Sequence, residues 1–194
     1  MKNTLLLIII TFLFTGCSKP FSYKYQDERQ EIVCSDMNVK LLNEALYSFK
    51  EDISRQYLKE ISDKDYLNFS FSYAQYIYRG AEGTAPYNEI VSSYTLKVFD
   101  ELKKHSNLFI KREGKSNLNY QSDFVKCLVN GIKDVDMKNK IKNLIEVDYL
   151  SPEVMAEIYR VTNADAETDA NYLMFIALDT FYQRFFDIDF SKTR

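Results

Sequence analysis

Tryptophan is absent from the 194-residue chain, and glycine, proline and histidine are scarce, with five, three and one residue respectively. So few helix-breaking residues argue against a loop-rich or all-β chain. A single histidine, His105, without a second histidine or a free cysteine nearby, does not make a zinc site. Gly80 and Gly83 lack the Lys-Ser/Thr of a phosphate-binding loop, and the sequence contains no G-x-S-x-G motif. The sequence therefore predicts no catalytic residue, no metal site and no cofactor.

Two acidic stretches fall short of a calcium-binding loop. The stretch that begins at Asp134 lacks the glycine required at the sixth position. The stretch that begins at Asn163 has Thr168 at that position and Met174 where a bidentate Glu is needed. We interpret the second stretch as the cap and acidic first turn of a helix.

The N-terminus carries an apolar run over residues 5–14 that contains a single threonine, Thr11. A helix needs about 20 apolar residues to cross a bilayer, so this run is too short for a stable span. Lys2 precedes the run and the small residues Thr15-Gly16 follow it, which is typical of a secretory signal peptide. We expect residues 1–16 to be cleaved.

The four residues Phe14-Thr15-Gly16-Cys17 resemble the lipobox of bacterial lipoproteins, with Phe14 where that family most often has Leu. The resemblance covers about the first seventeen residues. It implies that the Cys17 thiol is diacylglycerylated, that the signal is cut before Cys17, and that the new N-terminus is acylated with a chain such as palmitate. Two or more acyl chains anchor a protein firmly. The alternative is an ordinary cleaved signal with an incidental cysteine.

By the same resemblance, Ser18 favours the outer membrane, facing the periplasm, because an Asp after the cysteine often retains lipoproteins at the inner membrane.

Acylation of Cys17 leaves Cys34 and Cys127 in an oxidising compartment. We expect these two to form a disulfide bond, which would stabilise the fold by about 4–5 kcal/mol in the chain-entropy model. The alternative is two separate free thiols.

The rest of the chain divides into a polar segment and one domain. Residues 17–33 are mostly polar and show no clear period, so we interpret them as the acylated N-terminus and a flexible tether with a reach of about 22 Å. Residues 34–190 are long enough for one domain with its own core. Cleavage of the signal removes one basic residue from a formal charge of −3 and leaves −4, so nucleic-acid binding is not expected.

Helical periodicity dominates the domain and predicts an all-α fold of six or seven helices. Apolar residues recur at three- and four-residue spacing over 39–53, and a capping Ser35 or Asp36 precedes them. Residues 66–79 alternate like a strand, but no partner strand is evident, so we interpret them as a helix. The remaining predictions are one helix over 86–102, a polar connection over 111–121, shorter helices near 122–130 and 136–147, and a helix that begins at Ser151-Pro152-Glu153.

The last helix, over residues 165–186, carries seven consecutive apolar residues at 172–178. We expect this hydrophobic C-terminal helix at the centre of the bundle. Asp179 falls on the same helical face as Tyr172 and Tyr182, and a buried carboxylate is costly unless it is paired or hydrogen-bonded. Tyrosine hydroxyls, a backbone amide or Arg160 are its candidate partners. The alternatives are a polar anchor for a pocket or interface, formed with Tyr172 and Tyr182, and a catalytic acid.

For function, we expect a membrane-anchored envelope protein that binds a protein partner without catalysis, and an immunity-type inhibitor is one specific version. The alternative is a carrier of a small amphipathic ligand, with a cavity lined by Tyr73, Tyr76, Tyr172 and Tyr182. A hydrolase with a site assembled from distant residues ranks third. An exposed aromatic patch would favour the first class, and an enclosed apolar cavity would favour the second.

Overall fold

The computed structural model describes residues 20–34, 38–59, 69–105, 107–112 and 114–193, apart from the side chains of residues 163–165, 192 and 193. The predicted signal peptide and Cys17 lie outside these ranges. Helices dominate the described residues, as the sequence predicts. They are α1 (Val39–Tyr57), α2 (Phe69–Gly80), α3 (Tyr87–Ile90), α4 (Ser93–Leu102), α5 (Asp123–Gly131), α6 (Val135–Glu146), α7 (Pro152–Val161), α8 (Asn163–Thr168) and α9 (Ala170–Ile176). The strands are β1 (Phe109–Arg112) and β2 (Lys115–Leu118).

The first long helix, α1, buries the apolar face that its periodicity predicts. Leu42, Leu46 and Phe49 are fully buried, and α1 packs against α2 and α4. Asn38 caps this helix, because its side-chain oxygen accepts a hydrogen bond from the Leu41 amide at 3.0 Å. The predicted caps Ser35 and Asp36 lie outside the described residues. Residues 69–80 of the ambiguous second segment are helical, as predicted.

The single helix predicted over 86–102 is wrong, since the chain forms the two helices α3 and α4 instead. Val91 is extended, and Ser92 caps α4 by accepting a hydrogen bond from the Thr95 amide at 3.1 Å. Asp52 of α1 holds this break, because its carboxylate accepts the Ser92 amide at 2.9 Å and the Thr95 hydroxyl at 2.5 Å. The interruption therefore depends on a residue of another helix.

The polar connection predicted over 111–121 is also wrong in part, since it contains most of an antiparallel hairpin. Phe109 pairs with Leu118 and Arg112 pairs with Lys115. Gly114, in the turn, has a φ of +81°, which glycine adopts without strain. Leu118 is buried, and its strand packs against residues Tyr182–Asp187. Four-residue strands with polar exposed faces carry too little hydrophobic pattern to be read from sequence.

The C-terminal segment does not form the single helix predicted over 165–186. Asp169 begins a new helix, because its carboxylate accepts the amides of Asn171 and Tyr172 at 3.1 and 3.2 Å. A π-helical turn, Ala177–Phe181, follows α9 and leads into 3₁₀ turns at Tyr182–Asp187 and Phe190–Thr193. The predicted start of α7 is confirmed, since the Ser151 hydroxyl accepts the Val154 amide at 3.3 Å.

The core is rich in aromatic rings that meet edge to face. Phe181 lies at the middle of one such cluster, with its ring centroid 5.2 Å from that of Phe49 and 4.8 Å from that of Phe185. Phe99 of α4 extends the cluster at 5.1 Å from Phe185. Such pairs stabilise a core by about 0.5–1.5 kcal/mol each beyond the area they bury.

Residues 20–34, called here the N-terminal strap, pack on α1, and the prediction of a tether over 17–33 is therefore wrong for residues 20–33. Ile32 is fully buried. The side-chain oxygen of Asn43 accepts the amides of Glu31 and Ile32 at 2.8 and 3.2 Å, which satisfies backbone groups that a free tether would give to water. The polar composition misled the prediction because the binding groups belong to α1.

The predicted cysteine pair meets at the end of the strap. The sulfur atoms of Cys34 and Cys127 are 2.00 Å apart, and the two Cα atoms are 6.0 Å apart. These are the separations of a disulfide bond. The bridge joins the strap to α5 across 93 positions of sequence.

Candidate functional site: a cleft over a buried carboxylate

A surface cleft of about 510 Å³ opens between the hairpin, the loop that joins α6 to α7, and the turns that follow α9. Apolar, polar and charged residues all contribute to its lining. They are Arg112, Lys115, Asn117, Leu118, Tyr120, Asp148, Tyr149, Leu150, Ser151, Pro152, Asp179, Gln183 and Arg184. Its volume lies within the range of about 300–1,000 Å³ that is typical of ligand-binding sites.

Asp179 forms part of the cleft wall and is 5% exposed. Its Oδ2 accepts a hydrogen bond from the Tyr159 hydroxyl at 2.6 Å. Its Oδ1 accepts hydrogen bonds from the Tyr120 hydroxyl and from the Gln183 amide, the latter at 3.0 Å. The carboxylate thus has donors from three separate places in the chain, namely the loop before α5, helix α7 and the turn after α9.

Burial raises the pKa of the Asp179 carboxyl, and the hydrogen bonds from Tyr120 and Tyr159 partly oppose that effect. Burial likewise raises the pKa of both tyrosines well above their ordinary value, and the neighbouring carboxylate adds to the rise. Both hydroxyls therefore keep their protons and act as donors. Because both carboxylate oxygens already accept hydrogen bonds, this arrangement holds Asp179 in place rather than directing it at a substrate.

The expectation that tyrosine hydroxyls satisfy Asp179 is confirmed. The alternative grouping of Asp179 with Tyr172 and Tyr182 is wrong, because those two hydroxyls bind elsewhere. The Tyr172 hydroxyl hydrogen-bonds the Thr162 hydroxyl at 2.7 Å, and the Tyr182 hydroxyl donates to the Ala45 carbonyl at 2.8 Å. The π-helical turn between them explains part of the error. The Tyr182 amide reaches back to the Ala177 carbonyl, five residues earlier, so a projection at 100° per residue misplaces Tyr182.

Arg160, the other predicted partner of Asp179, also points elsewhere. It forms ion pairs with Glu82 and with Glu157, the second at 3.4 Å. No sequence pattern indicates that Tyr120 and Tyr159 are the actual partners of Asp179, because only the tertiary fold brings them to residue 179. Gln183 could have been predicted as a partner of Asp179, because a Gln and an Asp four residues apart lie on the same side of a helical turn.

The rim of the cleft carries both charge and an exposed ring. Arg112 pairs with Asp148 at 3.0 Å across the opening between the hairpin and the α6–α7 loop. Lys115 and Arg184 add two further cations to the lining. Tyr149 is 62% exposed, which leaves a large ring in solvent beside the cleft. The rim therefore offers cationic groups and an aromatic surface to whatever binds there.

The aromatic residues proposed to line a carrier cavity are core residues. Tyr73, Tyr76 and Tyr182 are fully buried, and the Tyr76 hydroxyl donates to the Thr180 hydroxyl at 3.0 Å. Tyr172 borders a smaller cavity of about 270 Å³ between the α5–α6 connection, α6 and the junction of α8 with α9. The four rings do not together surround the cleft described above.

Within the described ranges, no group of three or more His, Cys, Asp or Glu side chains is arranged to hold a metal ion. No helix in that part of the chain is both long and apolar enough to cross a membrane. Comparison with protein-family models, with curated proteins and with solved structures found no match.

Proposed function

We propose that the mature chain is a bacterial envelope lipoprotein that binds a protein partner through the cleft between the hairpin and the α6–α7 loop. The anchor is acylated Cys17, the location is the outer membrane facing the periplasm, and the role is not enzymatic. An immunity-type inhibitor of an incoming toxin is one specific form. The observation that carries the proposal is the exposed Tyr149 ring beside a cleft with a cationic rim and a fixed wall.

The cleft has the composition of a protein interface. Aromatic residues and Arg are enriched at the centres of such interfaces, and Tyr149, Arg112 and Arg184 supply both types. The cations Lys115 and Arg184 suit an acidic side chain of the partner. The hydrogen bonds around Asp179 fix the wall of the cleft before binding, which lowers the entropy lost on association.

We place the C-terminal segment at the centre of the bundle, and from there it supports the cleft. Its residues from 172 to 182 are all buried, and the same segment supplies Asp179 to the cleft wall. A fully buried segment moves little, so a wall built on it holds its shape.

Affinity capture from the native envelope tests the proposal with two matched tyrosines. We expect Tyr149→Ala to reduce capture of the partner at least tenfold, because the ring is removed from the cleft rim. Tyr78→Ala is the control, since Tyr78 is 61% exposed and lies on α2, outside the cleft lining. Equal losses from both variants, or none from Tyr149→Ala, would contradict the proposal.

The anchor has its own test. Cys17→Ala should yield a protein without acyl chains that no longer partitions with membranes, since lipidation supplies the attachment. Intact mass and membrane flotation of both proteins measure this. Unchanged mass and flotation in the variant would show that Cys17 is not the anchor.

A carrier of a small amphipathic ligand remains the second candidate, and the volume of the cleft, about 510 Å³, is the observation that favours it. Its mixture of apolar and cationic lining suits an amphipathic anion. Mass spectrometry of the natively purified protein distinguishes the two classes. A carrier releases a small molecule on denaturation, and the Tyr149→Ala variant releases less of it.

A further inference from the structure

We infer that the half-buried rings of the N-terminal strap and its neighbours, called here the aromatic face, lie against the lipid headgroups of the membrane that holds the anchor. The aromatic face comprises Phe21, Tyr23, Tyr25, Tyr47 and Tyr94. This inference rests on the lipid anchor in the proposed function, and it adds an interaction surface distinct from the cleft.

The first argument is the short distance from the anchor to the folded strap. Pro20 is the first described residue, and only residues 18 and 19 separate it from Cys17. Three residue steps of extended chain cover at most about 11 Å. A headgroup layer is about 5–8 Å thick, so the strap begins within or directly above that layer. A tether with a reach of about 22 Å would have left the orientation of the domain open.

The second argument is that hydrogen bonds fix the strap to the domain. The Glu44 carboxylate accepts the Tyr25 amide at 3.1 Å, and the same carboxylate accepts the Tyr94 hydroxyl. The Tyr94 hydroxyl is also 3.1 Å from the Ser22 carbonyl. Glu44 is itself buried, so this attachment belongs to the fold of the domain. The anchor therefore fixes which face of the domain lies towards the membrane.

The third argument is the chemistry of that face. The ring centroids of Phe21 and Tyr23 are 4.9 Å apart, and that of Tyr25 is 5.6 Å from that of Tyr47. Lys40 Nζ lies 4.2 Å from the centroid of the Tyr23 ring. Half-buried tyrosines with a nearby lysine are typical of the membrane–water interface, where rings sit at headgroup level and lysine reaches phosphate.

A single introduced tryptophan tests this orientation, because the natural chain has none and its emission can be assigned to one site. The lipidated full-length precursor is expressed, processed and reconstituted into vesicles of phosphatidylethanolamine and phosphatidylglycerol that contain brominated lipid. We expect the emission of Tyr23→Trp to fall at least twofold relative to vesicles without bromine. Tyr149→Trp is the matched control at the cleft rim and should lose less than a tenth of its emission.

Each result decides the question. Phe21→Trp should repeat the loss seen at position 23 and replaces that variant if it does not fold. Flotation with the vesicles but no quenching at position 21 or 23 overturns the orientation and leaves the anchor intact. Equal quenching at positions 23 and 149 also overturns it. Failure of the wild-type protein to float overturns both the anchor and the orientation, whereas failure of the partner capture described above affects neither.

Discussion

At the scale of single residues, Asp179 is the side chain around which the cleft wall is organised. Its hydrogen bonds from Tyr120 and Tyr159 join segments that are far apart in sequence. A carboxylate in such a place is costly without its donors and is fixed in position with them. Its ionisation should therefore be visible in the stability of the whole domain.

Asp179→Asn isolates that ionisation. Because burial raises the pKa of Asp179 in the folded protein, the native state holds the carboxyl proton more tightly than the unfolded chain does. The stability that the protonated carboxyl contributes is complete below the unfolded pKa and is lost as the pH rises through the raised folded value. Thus the unfolding free energy of the wild type minus that of Asp179→Asn should fall from pH 4 upwards.

The slope of that fall can reach about 1.4 kcal/mol per pH unit for one group. Urea unfolding of both proteins at pH 4, 5, 6 and 7 measures it. Asp52, another buried carboxyl with a raised pKa, is present in both proteins and so cancels in the difference. A difference that stays constant with pH would show that Asp179 ionises in the fold as easily as in the unfolded chain, and one that rises with pH would show that it ionises more easily in the fold.

At the scale of elements, α2 ends at Gly80, whose backbone packs so close to Ala85 that only glycine fits there. A Cβ added to Gly80 would lie 2.6 Å from the Cβ of Ala85, which is too short for two carbon atoms. Gly80→Ala should therefore lower the unfolding free energy by about 1–3 kcal/mol, although alanine is the better helix former.

Chemical denaturation checks the result, with Tyr78→Ala as the control on the same helix. Tyr78 is largely exposed, so its replacement should change the unfolding free energy by less than about 0.5 kcal/mol. A neutral or stabilising Gly80→Ala would mean that the turn after α2 relaxes to accept the methyl group.

Elements whose signals are local were predictable from the sequence, and elements set by distant partners were not. The buried face of α1 and the Ser151 cap of α7 follow from neighbours within a few residues. The break between α3 and α4 depends on Asp52, some 40 residues before it. The partners of Asp179 depend on the whole chain. The sequence therefore identified Asp179 and the kind of group that satisfies it, the tyrosine hydroxyl, but not which tyrosines supply it.

At the scale of the whole molecule, the Cys34–Cys127 bridge closes most of the domain into one loop. Replacing both cysteines with serine should lower the unfolding free energy by about 4–5 kcal/mol. The bridge closes a long loop and so reduces the entropy of the unfolded chain, and this free energy is that entropy multiplied by the temperature. Urea unfolding of the double variant and of the oxidised wild type gives the difference. A thiol assay on the denatured, unreduced wild type should find neither Cys34 nor Cys127 free, and two titratable thiols would contradict the bridge.

The position of that bridge also decides how the molecule meets a mechanical load. A pull on the proposed anchor first reaches the strap, where hydrogen bonds from strap amides to Asn43 and Glu44 of α1 resist it. If those give way, the strap peels only as far as Cys34, and the tension then passes covalently into α5 through Cys127. The bridge therefore sets a covalent limit on how far the strap can detach, and at Cys34 the load is shared between α5, through the bridge, and the chain that continues into α1.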